Sequence, residues 1–307
     1  MYVVGIDENG LGPRLGPLVA TAITLEVGRY DAAKLRRRGL GLGITDSKQS
    51  SGFGRMAFAE GLALALVARL AGEAPRDADG LLEALSLDSP LELRSPCPDS
   101  STARQCFGEA LTLPAYGGDV EAGREALARL EGRGTLRIVR ARTALRCVGT
   151  LNSELRAGTS KLAVDLHLFE RLLLDARSGA RADVEAYAGM IGGIRDYPKF
   201  ARHVPAAAYR DAELVRGRLS YRVDGVGAIR FEVDADATHL PVALASMVGK
   251  YVREVTMDRI ARFYRSIDPG LPAPSGYHDK VTARFVDGTE PHRRRLRIAN
   301  ACFLREG

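Results

Sequence analysis

The sequence is poor in the features that mark thiolate-metal or disulfide-stapled proteins. Its 307 residues include four cysteines, Cys97, Cys106, Cys147 and Cys302, none in a C-x-x-C pair. No histidine stands at zinc-ligand spacing from them, so reduced, buried thiols are expected. No apolar run approaches the roughly 20 residues that a membrane-spanning helix needs. The N-terminus, MYVVGIDENG, lacks a basic segment and has only a short apolar run, which argues against a secretory leader. A soluble, cytoplasmic protein with no membrane partner is the expectation. No fixed-period repeat runs through the chain, which argues against a solenoid.

What is present points to a globular protein. The hydrophobic fraction of 46% supplies a full core, and the net charge of +6 is a modest basic excess. That excess fits a polyanionic partner without requiring one.

Residues 1–7 form a nearly continuous apolar run of buried-strand character. Gly10, Gly12, Pro13, Gly16 and Pro17 then punctuate a loop. Residues 18–27 alternate with β-branched side chains and predict a second strand. Helical spacing follows at 55–71, and residues 72–134, rich in Pro, Gly and Asp, read as an inserted lobe with a helix near 120–131. Strands are predicted at 135–144 and 183–190, with an amphipathic helix at 160–176 between them. Residues 220–224 and 228–234 read as a hairpin. Residues 241–264 carry the strongest helical pattern, with Pro241 at its start and a stripe of Leu244, Val248, Tyr251, Val252 and Val255. This alternation of strands and helices argues for an α/β layered fold.

Asp7 and Glu8 are the first candidates for chemistry. Successive strand residues point to opposite faces, but at the end of a pleat both carboxylates can bend towards one point. Two acids that close repel, and a hard divalent cation relieves the repulsion by taking oxygen ligands. By itself the dipeptide is read more simply as two solvated acids capping a turn. On the 241–264 helix, Ser246, Lys250 and Arg253 share a stripe opposite the apolar one, two turns beyond Asp236. Such a stripe can line a phosphate track or form an ordinary solvated face. The basic run from His292 to Arg297 has the same two readings.

Residues 7–20, D-E-N-G-L-G-P-R-L-G-P-L-V-A, resemble the opening D-E-x-G-x-G-P-x-x-G-P-x-V-A of ribonucleases HII and HIII, the type II branch of the ribonuclease H superfamily. Asp46-Ser47-Lys48 resembles the family's D-S-K segment. Residues 236–250, D-A-T-H-L-P-V-A-L-A-S-M-V-G-K, resemble its acid, short loop, V-A-x-A-S and Lys pattern, and Gly276-Tyr277 its late Gly-Tyr. The resemblance implies a ribonuclease H-like mixed five-stranded sheet flanked by helices over residues 1–307, with an inserted segment at 72–134 and a C-terminal helical extension at 265–307. It implies an endonuclease using Mg²⁺ or Mn²⁺ on RNA–DNA hybrids or on ribonucleotides in a DNA duplex. It assigns Asp7, Glu8 and Asp236 as metal ligands and catalytic acids. It assigns Gly10, Gly12 and Tyr277 to the ribose, and Lys48, Ser246 and Lys250 to phosphates.

Two departures accompany these matches. Leu11 stands where ribonuclease HII commonly has a basic residue. The family also uses a fourth carboxylate, expected where this chain reads Ala188-Gly189-Met190. Asp183 and Glu185 lie earlier in that strand, and Asp224 sits in a V-D-G that resembles the motif but reads as a hairpin turn. Asp234 is two residues from Asp236, hence on the same strand face, where it can add an oxygen. The gap at Gly189 leaves open a catalytically impaired, hybrid-binding protein of the same fold.

Overall fold

The computed structural model describes residues 1–45, 56–95, 97, 105–132 and 134–306. Asp46, Ser47 and Lys48 lie outside these. Seven strands form one mixed sheet: β1 (Tyr2–Asn9), β2 (Leu18–Val27), β3 (Leu136–Arg146), β4 (Val184–Gly189), β5 (Tyr209–Val215), β6 (Arg218–Val223) and β7 (Gly227–Glu232). Their spatial order is β3-β2-β1-β4-β7-β6-β5. β1 and β2 pair antiparallel, as do β2 and β3, whereas β4 runs parallel to both β1 and β7.

Strands β3-β2-β1-β4-β7 make the expected five-stranded mixed sheet. β6 returns antiparallel on β7 as the predicted hairpin, and β5 pairs with β6 at the edge, raising the count to seven. The sequence pattern missed β5 for a physical reason. Its residues YRDAELV are exposed beyond the first, so no apolar alternation marks them. Pairing with β6 at the sheet edge makes it a strand, and Asp211 within it adopts φ 49°.

The described helices are α1 (Ala32–Leu40), α2 (Ala57–Ala71), α3 (Ala78–Leu85), α4 (Pro90–Arg94), α5 (Val120–Glu131), α6 (Val148–Arg156), α7 (Lys161–Ser178), α8 (Ala235–Thr238), α9 (Leu240–Ile267) and α10 (Lys280–Arg295). Two of them sandwich the central strands. The period of two along β1 sends Val4 and Ile6 into an apolar cluster with Leu166 and Phe169 of α7. Val3 enters a separate cluster with Ala243, Leu244 and Met247 of α9. Leu81, Leu82, Leu111, Leu127 and Leu130, all from the 72–134 segment, join this second cluster.

Close backbone approach sets α9 in register with the sheet. A Cβ on Gly5 would stand 2.2 Å from the Pro241 carbonyl carbon, and one on Gly249 would stand 2.1 Å from Asn9 Oδ1. Glycine at both positions lets the first turns of α9 lie directly on β1, beside the end of the strand where Asp7 sits.

Candidate active site

Asp7 lies in the α9-facing row of β1, one place before its last member Asn9, and the Ser246 hydroxyl of α9 lies against it. Burial raises the Asp7 carboxyl well above the usual carboxylate range. The Ser246 hydrogen bond opposes that rise, while the charges of Glu8 and Asp236 add to it. Glu8 accepts a hydrogen bond from the Leu11 N–H at 2.9 Å, which ties the acid to the glycine-rich loop. A cleft of about 490 Å³ opens here, lined by Asp7, Glu8, Gly10, Gly189, Asp236, Ser246, Lys250 and Tyr277 among others. Gly12 is exposed, with open space on its Cβ side. It is not part of the cleft lining.

Several expectations need correction. β7 stops at Glu232, Asp234 turns into the left-handed region at φ 52°, and Asp236 lies on the short helix α8. The two acids therefore share no strand face. Ser246 and Arg253 are buried rather than exposed, at 1% and 0% accessibility. The reason is that α9 is covered twice, by the sheet and by the chain around Gly276. Arg253 donates to the Ser275 carbonyl at 3.3 Å and to Glu254 at 2.7 Å. The candidate replacement acids are engaged elsewhere: Asp183 faces Arg177 at 3.6 Å, Glu185 pairs with Arg230, and Asp224 meets Arg210 at 3.0 Å in the hairpin turn. The basic run near the C-terminus is partly internal, since Arg293 is buried with its guanidinium 4.2 Å from the Phe303 ring centroid.

Tertiary contacts hold the glycine-rich loop from two sides. The Gly276 carbonyl accepts from the N–H groups of Arg14 at 2.8 Å and Leu15 at 3.1 Å. Arg305 donates to the Gly16 carbonyl at 2.8 Å and also to Gly10. Gly10 itself needs its left-handed φ of 99°, and a Cβ there would stand 3.0 Å from Arg253 Cδ. Tyr277 projects above, with Lys250 Nζ 5.6 Å and the Arg253 guanidinium carbon 4.9 Å from its ring centroid.

Position 189 has no side chain, and its ideal Cβ lies 3.3 Å from Asp7 Oδ1. On the neighbouring strand Glu232 lines the same cleft, but it is bonded to His239 Nε2 at 3.0 Å, and His239 Nδ1 lies 2.8 Å from the Tyr30 hydroxyl. Sequence reasoning missed Glu232 because its partner is set by tertiary packing. It also missed Asp165 of α7, which is buried and whose carboxyl senses the charges of Glu8 and Asp7. Its signal was readable: Asp165 shares the apolar stripe of Phe169, Leu172 and Ala176. An acid in such a stripe calls for a buried partner.

The donors gathered here are carboxylate oxygens, which suit a hard divalent cation, and the mutual repulsion at Asp7 is what such a cation relieves. Among the described residues, no three His, Cys, Asp or Glu side chains converge at ligating distance as they stand.

No family model matches the chain. Ribonuclease HII from Thermococcus sibiricus is 28% identical to it over 119 residues, 37% of this chain and 49% of that protein. Over these residues the chain is similar to ribonuclease HII. It spans about half the length of the curated relative it matches. Among solved structures, a chain of the PCNA–ribonuclease HII complex from Archaeoglobus fulgidus is 17% identical, with a TM-score of 0.49 over 99% of this chain and 94% of that one. Ribonuclease H2 of Pyrococcus horikoshii is 16% identical, with a TM-score of 0.47 over 99% and 92%. Bst ribonuclease HIII in complex with Mn²⁺ is 14% identical, with a TM-score of 0.44 over 95% and 71%. Among the described residues, no helix is long and apolar enough to cross a membrane. Against the ribonuclease HII pattern, Leu11 and Gly189 remain the departures within the cleft loop and the central strand.

Proposed function

We propose that this protein is a metal-dependent endonuclease. Its substrate is the RNA strand of RNA–DNA hybrids, or a ribonucleotide embedded in duplex DNA, and it leaves 5′-phosphate and 3′-hydroxyl ends. The observation that carries this reading is the meeting of Asp7, Glu8 and Asp236 with Gly10, Lys250 and Tyr277 around one cleft. In this reading the three acids hold Mg²⁺ or Mn²⁺. The chemistry such a cation supplies when bound is Lewis-acid assistance to phosphodiester hydrolysis.

The chain's own residues account for recognition and orientation. Ser246, which lines the cleft beside Asp7, steadies the Asp7 carboxylate and stands within reach of a bound phosphate. Gly10 and Gly12, on a loop tied to Gly276 and Arg305, bring backbone to the ribose, whose 2′-hydroxyl distinguishes RNA from DNA. The Tyr277 ring packs against the neighbouring sugar. Lys250 and Lys48 take up phosphate charge.

A second reading, a hybrid-binding protein that does not cut, draws on Gly189 and on the absence of three converging acids among the described residues. One experiment separates the two. The protein is incubated with a DNA duplex carrying one ribonucleotide and with an RNA–DNA hybrid, in Mg²⁺ and then in Mn²⁺. Metal-dependent cleavage abolished by Asp7→Asn is the expected result. Binding without cleavage in either metal overturns the nuclease reading and leaves the binding protein.

A further inference from the structure

Helix α7 holds a carboxylate for which the three-acid site has no use. Asp165 is 0% exposed, and neither of its side-chain oxygens has a hydrogen-bond partner among the described residues. Other buried acids in this fold are fully engaged. Glu60 accepts N–H bonds from Ala115 at 2.6 Å and from Tyr116 and Gly118 at 2.8 Å, and the Tyr251 hydroxyl at 3.1 Å. Glu170, on the same helix as Asp165, accepts from Arg202 and His203 N–H groups at 2.9 and 2.8 Å and from the Tyr209 hydroxyl at 2.9 Å. A buried polar group left without a partner has lost its water and gained nothing in return. Among the described residues the fold satisfies Glu60 and Glu170 but leaves both oxygens of Asp165 bare, as it does the Asn9 Oδ1 in the cleft lining.

The alternation of β1 fixes which side of the sheet Asp165 serves. Val4 and Ile6 face α7, and Glu8 continues their row. Asp7 belongs to the opposite row, bonded to Ser246 on α9. The charges acting on Asp165 are those of Glu8 first and Asp7 second. Position 189 is on the other side, its Cβ direction leading to Asp7. The N-terminal end of α7 also reaches the loop that follows β4, since Leu162 Cδ1 lies 3.9 Å from the ideal Cβ of Gly193.

We infer that Asp165 is the fourth carboxylate of the cation site, entering from the Glu8 side of the sheet, whereas a side chain at position 189 would enter from the Asp7 side. This rests on the metal-dependent reading above. It gives the two acids of the Asp7-Glu8 pair separate companions: Asp236 and Ser246 for Asp7, Asp165 for Glu8. A divalent cation bound here would be held by Glu8 and Asp165 from that side of the sheet, and would supply the counter-charge that the bare Asp165 carboxyl lacks.

The test is Mn²⁺ binding by the metal-free full-length protein, read as affinity and stoichiometry by calorimetry and as the Mn²⁺-induced rise in Tm. Wild type, Asp7→Asn and Asp165→Asn are compared, with Asp165→Ser as a second variant that adds no volume should the asparagine variant fail to fold. The inference expects the Asp165 variants to lose at least tenfold in Mn²⁺ affinity, or one bound ion, and to show a smaller Tm rise. Wild-type affinity and stoichiometry in the Asp165 variants, with loss in Asp7→Asn, overturn it and leave the three-acid site standing. No Mn²⁺ binding by wild type overturns the metal-dependent reading and the inference together.

Discussion

The Tyr277 ring lies with its centroid 4.9 Å from the guanidinium carbon of Arg253. Arg253 is fully buried while Tyr277 is 41% exposed, so an internal cation fixes the orientation of a surface ring. Removing it in Tyr277→Ala is expected to raise KM for a duplex with one ribonucleotide by about tenfold, since stacking on an aromatic side chain contributes roughly 1–3 kcal/mol. Tyr277→Phe keeps the ring and its contact with Arg253, and stays within about twofold of wild type. Steady-state cleavage kinetics check both, and an alanine variant with unchanged KM refutes the role.

Gly10 combines a φ of 99° with an ideal Cβ only 3.0 Å from the Arg253 side chain. Gly10→Ala is expected to lose about 1–3 kcal/mol of stability from backbone strain, together with most of the cleavage activity. Urea unfolding measures the first loss. A variant as stable and active as wild type shows that the loop accommodates a side chain.

Asp7 is held in a place that disfavours its charge, because burial and two neighbouring acids raise its carboxyl well above 3.8. The folded state therefore binds the proton more tightly than the unfolded chain. Stability is favoured at low pH and is lost as pH rises through the folded-state value. In EDTA at pH 8, Asp7→Asn should accordingly be more stable than wild type by about 1–3 kcal/mol, although it does not cleave. The difference should vanish near pH 4, where both side chains are neutral. Thermal unfolding at the two pH values measures it, and an asparagine variant no more stable at pH 8 contradicts the electrostatic argument.

Placing an acid at position 189 tests the other side of the site. Its Cβ stands 3.3 Å from Asp7 Oδ1, so the neighbour must shift by a few tenths of an ångström. Gly189→Asp is expected to lower metal-free stability through carboxylate repulsion and to raise Mn²⁺ affinity by about tenfold, or about 1.4 kcal/mol. Calorimetric titration decides, and weaker or unchanged binding argues that this face is closed to a ligand.

Much of this was legible from local pattern. The apolar run before Asp7, the alternation of residues 18–27 and the stripe from Leu244 to Val255 each mark one face of one element. Hydrophobic periodicity encodes faces directly. β5 was not legible, because its exposed residues carry no such pattern and edge pairing alone makes it a strand. Asp234 and Asp236 were misread as strand neighbours, because the left-handed turn at Asp234 breaks the period between them.

The sequence by itself determined the acid pair, the glycine-rich loop that follows it and the helix that starts just beyond Asp236. These are short-range features, written in residue type and spacing. Tertiary structure alone decided that Gly276 and Arg305 would grip that loop, that Arg253 would be buried beneath Tyr277, and that Asp165 would stand unbonded on the Glu8 side of the sheet. A partner hundreds of residues away leaves no periodicity, and whether a buried acid is satisfied depends on which groups packing brings to it. The Asp7-Glu8 pair was readable as a candidate from its own strand; which acids accompany it was settled by what lies above and below that strand.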